Sequence, residues 1–255
     1  MPASYAHYRF GKLLLPTLPS NVRQCIQRFR RMYDMGLQGP DFFFYYNPFA
    51  KTATGDLGNV FHSQTGREFF TRACAQADTE AATAYLYGLL GHYCLDSVCH
   101  PFVDRMVNIG EAKHIALEAE LERFLLHKDG VRPAHTYDRS RHIGLTRGEC
   151  MTAATFFPGC DGGKVSRSIR IMTWCLRFLD HPNRERQEKR MRKFCPNLME
   201  HLIPTEEIPD YSFLIGELAD LYGQALEKYP FLLEQLRQHQ KTAEPLGDDF
   251  DPIFG

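Results

Sequence analysis

Apolar residues recur along this chain at the three- and four-residue spacings of an α-helix, and no stretch alternates as a strand does. The pattern predicts helices over 19–35, 65–78, 80–100, 110–127, 146–156, 163–180, 183–194 and 213–240. The segment "AATAYLYGLLGHYCLDSVC" is apolar and aromatic on every side, so it reads as a central helix. "GEAKHIALEAELERFLLHKDG" carries an amphipathic stripe and a glycine stop, and "YPFLLEQLRQHQK" is amphipathic near the end. Glycine, proline and asparagine fill connections such as "GLQGPD", "FFPGCDGG" and "DHPN". The fold class is therefore all-α, as a single mainly helical domain over 1–245. An acidic-aromatic tail follows over 246–255, either disordered or docked back on the body.

The size and composition suit that reading. The chain has 255 residues, 44% of them hydrophobic, enough for a sizeable core. A net charge of −1 gives no strong signal for nucleic acid. The local run "NRERQEKRMRK" (183–193) is strongly charged, and reads as a solvated helix face or as a docking patch for anionic lipid or nucleic acid. Eight cysteines, none in a close CxxC pair, lie scattered. With no signal peptide and no transmembrane span in evidence, free thiols in a cytoplasmic setting are expected.

Candidate chemistry sits in "GHYCLDSVCHP" (91–101), where His92, Asp96 and His100 recur every four residues among apolar neighbours. Buried polar groups need partners. On a helix His92 and His100 lie roughly 12 Å apart along the axis, too far to share one ion, whereas Asp96 can serve both neighbourhoods. His100 precedes Pro101 and is expected at the helix end. A second stripe places His114 and Glu118 four apart. His7, Asp41 and His62 lie upstream in turn-like or aromatic contexts. Imidazole and carboxylate donors without cysteine suit a catalytic zinc site better than a structural one. His127, His135, His142, His181, His201 and His239 lack the paired spacing. The bland alternative is a hydrogen-bonded polar core.

"HYRFG" (7–11), "GPDFFFY" (39–45), "FHSQ" (61–64), "GHYCLDSVCHP" and "HIALE" (114–118), in that order, resemble the zinc-dependent phospholipase C family, which is related to the fungal single-strand-specific zinc nucleases. The resemblance spans the first half of the chain. It implies a mainly helical fold with two or three zinc ions in a cleft. It further implies that Asp41, His62, His92 and Asp96 hold one ion, that His100, His114 and Glu118 hold a second, and that Asp96 bridges to a third shared with His7. Secreted members complete that third site with an N-terminal amine; here the amine of Pro2, five residues before His7, would stand in. Asp41 is the carboxylate best placed to orient or deprotonate the attacking water. The aromatics of 42–49 either line an acyl or base pocket or belong to the core. The implied activity is phosphodiester hydrolysis on a phospholipid or small phosphodiester. A nuclease or nucleotidase on the same cluster, and a metal-binding helical protein without turnover, are the alternatives.

Overall fold

In a computed structural model of the chain, described over residues 4–194 and 196–254, everything is arranged around one long buried helix. We number the helices α1 (Ser4–Leu14), α2 (Ser20–Arg28), α3 (Arg30–Gly36), α4 (Ala53–His62), α5 (Gly66–Cys74) and α6 (Glu80–Asn108). The series continues with α7 (His114–Lys128), α8 (Arg147–Ala154), α9 (Gly162–Leu179), α10 (Arg184–Phe194) and α11 (Ser212–Thr242). Among the described residues there is no strand. The all-α class read from the periodicity is what the structure shows.

α6 is the axis of the molecule. Thr79 caps it, its side-chain oxygen accepting from the Ala82 N–H, and nearly every residue from Tyr85 to Asp96 is buried. An all-round apolar sequence demands neighbours on every side. α3 and α11 supply the largest, and α1, α2 and α8 complete the sheath. α3 meets α6 at glycines. A Cβ on Gly36 would stand 2.3 Å from the Tyr85 carbonyl oxygen, and one on Gly88 would stand 2.3 Å from that of Tyr33. Only hydrogen side chains allow backbones to approach so closely.

Four elements depart from the periodicity. The single helix expected over 19–35 is two, because Phe29 (φ −117°, ψ 44°) leaves the helical region and turns the chain. Helix 80–100 does not stop at Pro101 but runs on to Asn108, so His100 lies inside the helix and not at its end. Pro101 forfeits one backbone hydrogen bond. Burial of Phe102 and Val103 just beyond it offsets that loss. α1 and α4 were not expected as helices. α1 is capped from a distance: the Glu122 carboxylate accepts from the Tyr5 and Ala6 N–H groups.

The tail is docked. Phe250 and Phe254 are buried. The Phe254 ring lies 4.7 Å from that of Phe69 and 5.1 Å from that of Tyr93. The Tyr93 hydroxyl donates to the carbonyls of Asp249 and Pro252, and Arg67 pairs with Asp251 at 2.6 Å. Seven cysteines are free thiols, and Cys195 lies outside the described residues. No described helix is long and apolar enough to cross a membrane.

Candidate metal centre

Four elements converge on one face of α6. His92, Asp96 and His100 point from successive turns of that helix. α1 brings His7, and the C-terminal residue of α4 is His62. α7 brings His114 and Glu118, and a short 3-10 helix over Asp41–Tyr45 brings Asp41. All are buried except His114, which is partly exposed.

The distances define two neighbourhoods joined by Asp96. In the first, His62 Nε2 lies 2.9 Å from Asp41 Oδ1, and His92 Nε2 lies 3.1 Å from Asp96 Oδ2. His7 Nε2 lies 3.2 Å from Asp96 Oδ1, and its ring stacks on that of His92 at 4.4 Å. In the second, His114 Nε2 lies 2.9 Å from Glu118 Oε1, with the His100 ring 5.4 Å from that of His114. His100 Nε2 is also 3.6 Å from Asp96 Oδ2. Ligand atoms within 4.8 Å of one another form three groups: His7, Asp41 and His92; His62, His92 and Asp96; His100, His114 and Glu118. All eight residues singled out in the sequence thus fall into this one constellation. The three groups place His7 beside Asp41 as well as beside Asp96.

Backbone carbonyls aim the rings. His62 Nδ1 is 2.7 Å from the Gly58 carbonyl, and His92 Nδ1 is 3.2 Å from that of Leu37. A carbonyl can only accept, so each Nδ1 carries a proton and each Nε2 faces the centre, where its lone pair would meet a metal once the ring is neutral. Gly39 makes room for His92. Its φ is +50°, and a Cβ there would stand 2.2 Å from the His92 ring. These supports left no side-chain signal in the sequence, although "GLQGP" marked a turn.

Charge organises the site. Burial pushes the Asp96 carboxyl up, yet the surrounding His92, His100 and His7 outweigh it and hold it well below the usual range. Asp41 is likewise low, with His92 and His62 among the positive charges that outweigh its burial. Burial pulls His62 down, but the hydrogen bond and charge of Asp41 leave it raised overall. The Glu118 hydrogen bond raises His114 against its burial.

The donor set fits zinc. Every candidate ligand is an imidazole or a carboxylate, and the buried thiols of Cys94 and Cys99 join none of the groups. His92 Nε2, Asp96 Oδ2 and Glu118 Oε2 are buried without a directed hydrogen bond, despite close ion-pair approaches. Buried polar atoms left in that condition are costly unless a cation satisfies them. Pro2, whose amine was expected to complete the third site, lies outside the described residues. The six other histidines join no such group among the described residues. His142, for one, stacks on Tyr8 at 4.2 Å, and burial drives it down to about 3. Of the aromatics after Asp41, Phe42 and Phe43 are core, whereas Phe44, Tyr45 and Tyr46 are partly exposed and Phe49 is exposed.

Comparison with known proteins agrees with this geometry. No curated protein and no solved structure matches the chain significantly. The model of the family described as zinc-dependent phospholipase C matches residues 6–158, a span that holds all eight candidate ligands. That span is more than half of the 255 residues, and the chain belongs to the zinc-dependent phospholipase C family.

Proposed function

We propose that the chain is a zinc-dependent phosphodiesterase, acting as a phospholipase C on a phospholipid or a related small phosphodiester. The observation that carries this reading is the pair of imidazole–carboxylate neighbourhoods sharing Asp96, inside the span that matches the family. In this reading Asp41, His62, His92 and Asp96 hold one zinc and His100, His114 and Glu118 a second. Asp96 reaches a third together with His7. When bound, such ions supply Lewis acidity at the phosphoryl oxygens and a water of lowered pKa.

The protein's own groups set up the rest. The Gly58 and Leu37 carbonyls lock the tautomers of His62 and His92, which keeps both Nε2 lone pairs on the metal side. Asp41, held ionised, is the carboxylate that orients the attacking water. Beside Phe44, whose ring is 5.5 Å from that of His62, opens a cavity of about 350 Å³ lined by Phe44, Asn47, Phe49, Lys51 and Asn59. Its apolar wall suits a substrate's organic part, and its charged lining is Lys51 with Asp56.

The test is metal content by elemental analysis, followed by hydrolysis of a panel of phosphodiesters and monoesters. Two or three zinc ions per chain, with turnover of a diester that chelation abolishes, are expected. Less than one ion per chain after zinc reconstitution overturns the reading.

A further inference from the structure

The charged run noted in the sequence plays no part in the metal centre, and the helix before it, α9, adds further cations. Residues 162–194, covering α9 and α10, hold ten Lys and Arg against three Asp and Glu, in a chain whose net charge is −1. α9 itself contains no acid. Arg167, Arg170, Trp174 and Arg177 lie three or four residues apart along it, so they share one face, and all four are exposed. None of the cations on α9 is paired with a carboxylate among the described residues. Lys164 donates to the Gly159 carbonyl, Arg167 to the Tyr46 carbonyl and Arg177 to the Ser140 hydroxyl.

Trp174 is the chain's single tryptophan and is 57% exposed, an unusual place for so large an apolar ring. It stacks on Phe178 at 5.8 Å. At the other end of the stripe, the Arg167 guanidinium lies 4.8 Å above the Tyr46 ring. Tyr46 caps the short helix that begins at Asp41, and three residues on, Phe49 is 77% exposed.

We propose that the outer face of α9 is a docking surface for an anionic phospholipid bilayer, with Trp174 entering the interface and Arg167, Arg170 and Arg177 meeting lipid phosphates. Aromatic side chains between cations are what a membrane–water interface selects. Several unneutralised cations on one face match the negative potential of anionic lipid. The contact is peripheral, since no described helix can span a bilayer. A single-stranded nucleic acid would instead want open aromatic faces for its bases, and Phe178 covers one face of Trp174. The inference goes beyond the hydrolytic reading, because none of these residues belongs to the metal centre. Docking here nevertheless brings lipid to the Tyr46–Phe49 edge, next to Asp41.

The experiment uses the zinc-loaded full chain and vesicles of phosphatidylcholine with or without phosphatidylserine. With phosphatidylserine present, the emission of Trp174 is expected to shift to the blue. The bound fraction in sedimentation is expected to fall as salt is raised. Arg170→Gln and Arg177→Gln should each weaken partitioning about fivefold, and Trp174→Ala about tenfold. Hydrolysis of a soluble short-chain phosphodiester should be unchanged in all three, which separates docking from catalysis. Equal partitioning on neutral and anionic vesicles overturns the proposal, as does partitioning indifferent to the three substitutions. A Trp174 response to single-stranded oligonucleotides with none to vesicles also overturns it. Intact docking without hydrolysis of any diester leaves this inference standing and removes the hydrolytic one.

Discussion

Asp96 has the Nε2 atoms of His92, His7 and His100 at 3.1, 3.2 and 3.6 Å, with both of its oxygens engaged. Asp96→Asn keeps the shape but turns one oxygen into a donor nitrogen that cannot ligate a cation. It is expected to lose at least one whole metal site and nearly all diesterase activity. Glu118→Gln should leave the zinc assigned to Asp41, His62 and His92 in place. Metal stoichiometry of both variants beside the parent decides this, and full stoichiometry with full turnover in Asp96→Asn would sink the bridging role. Protons compete with zinc at the same residues. His62 and His114 are raised in the metal-free chain, so their protonated forms add stability at low pH, which is lost as pH rises past their folded values. Zinc needs them neutral. The gain in Tm on adding zinc should therefore be larger on the alkaline side of neutrality than on the acid side, and an equal gain on both contradicts the assignment. The candidate ligands on α6 and α7 were legible through their repeated four-residue spacing, whereas His7, Asp41 and His62 were legible only as part of an ordered series of motifs. The Leu37 and Gly58 carbonyls and the space above Gly39 were not, since backbone groups leave no letter of their own.

Helices were legible where periodicity was long, as in α6, α7, α9 and α11, and obscure where tertiary contacts supply what the local sequence lacks. α4 has a fair cap, Thr52 accepting from Gly55 N–H at 3.0 Å, but its glycines and asparagine weaken the helical signal. α1 owes its start to Glu122, more than a hundred residues away. That carboxylate is fully buried and also pairs with the buried Arg139, which in turn binds Asp180 at 2.7 Å. The cluster holds the first turn of the helix that carries His7. Glu122→Gln removes the charge while keeping the size. Leaving Arg139 with a weaker partner in the interior is expected to destabilise the protein by about 3 kcal/mol. Urea unfolding measures that loss. If α1 is seated by this carboxylate, the variant should also bind less zinc at the site that includes His7, while the His100, His114 and Glu118 site keeps its ion. Unchanged stability would show that the cluster is not what anchors α1.

Over the whole molecule, the last residues close a layer that begins at α5 and reaches the metal centre. Phe254 touches Phe69, Phe70 and Tyr93, and its ring lies 6.2 Å from that of His92. Phe250 packs on Phe70 and stacks on Tyr93 at 5.9 Å, one residue along the helix from His92. The acidic-aromatic composition of the tail admitted both disorder and docking. What decided between them is an apolar recess on α5 and α6 that exists only after folding. The tail and the body should therefore unfold in a single transition. Truncating either ring opens a cavity in that layer, so Phe250→Ala and Phe254→Ala should each cost about 3–4 kcal/mol in metal-free protein. They should differ in their effect on zinc. Of the two, Phe254 alone lies near a candidate ligand ring, and loosening the packing around a ligand lets its geometry wander. Phe254→Ala should weaken zinc binding about tenfold, whereas Phe250→Ala, matched to it in lost stability, should leave it near the parent value. Competition against a chromophoric chelator at a temperature where both variants are folded measures this. An equal loss of zinc affinity in the two variants would mean that the tail acts on the metal centre only through global stability.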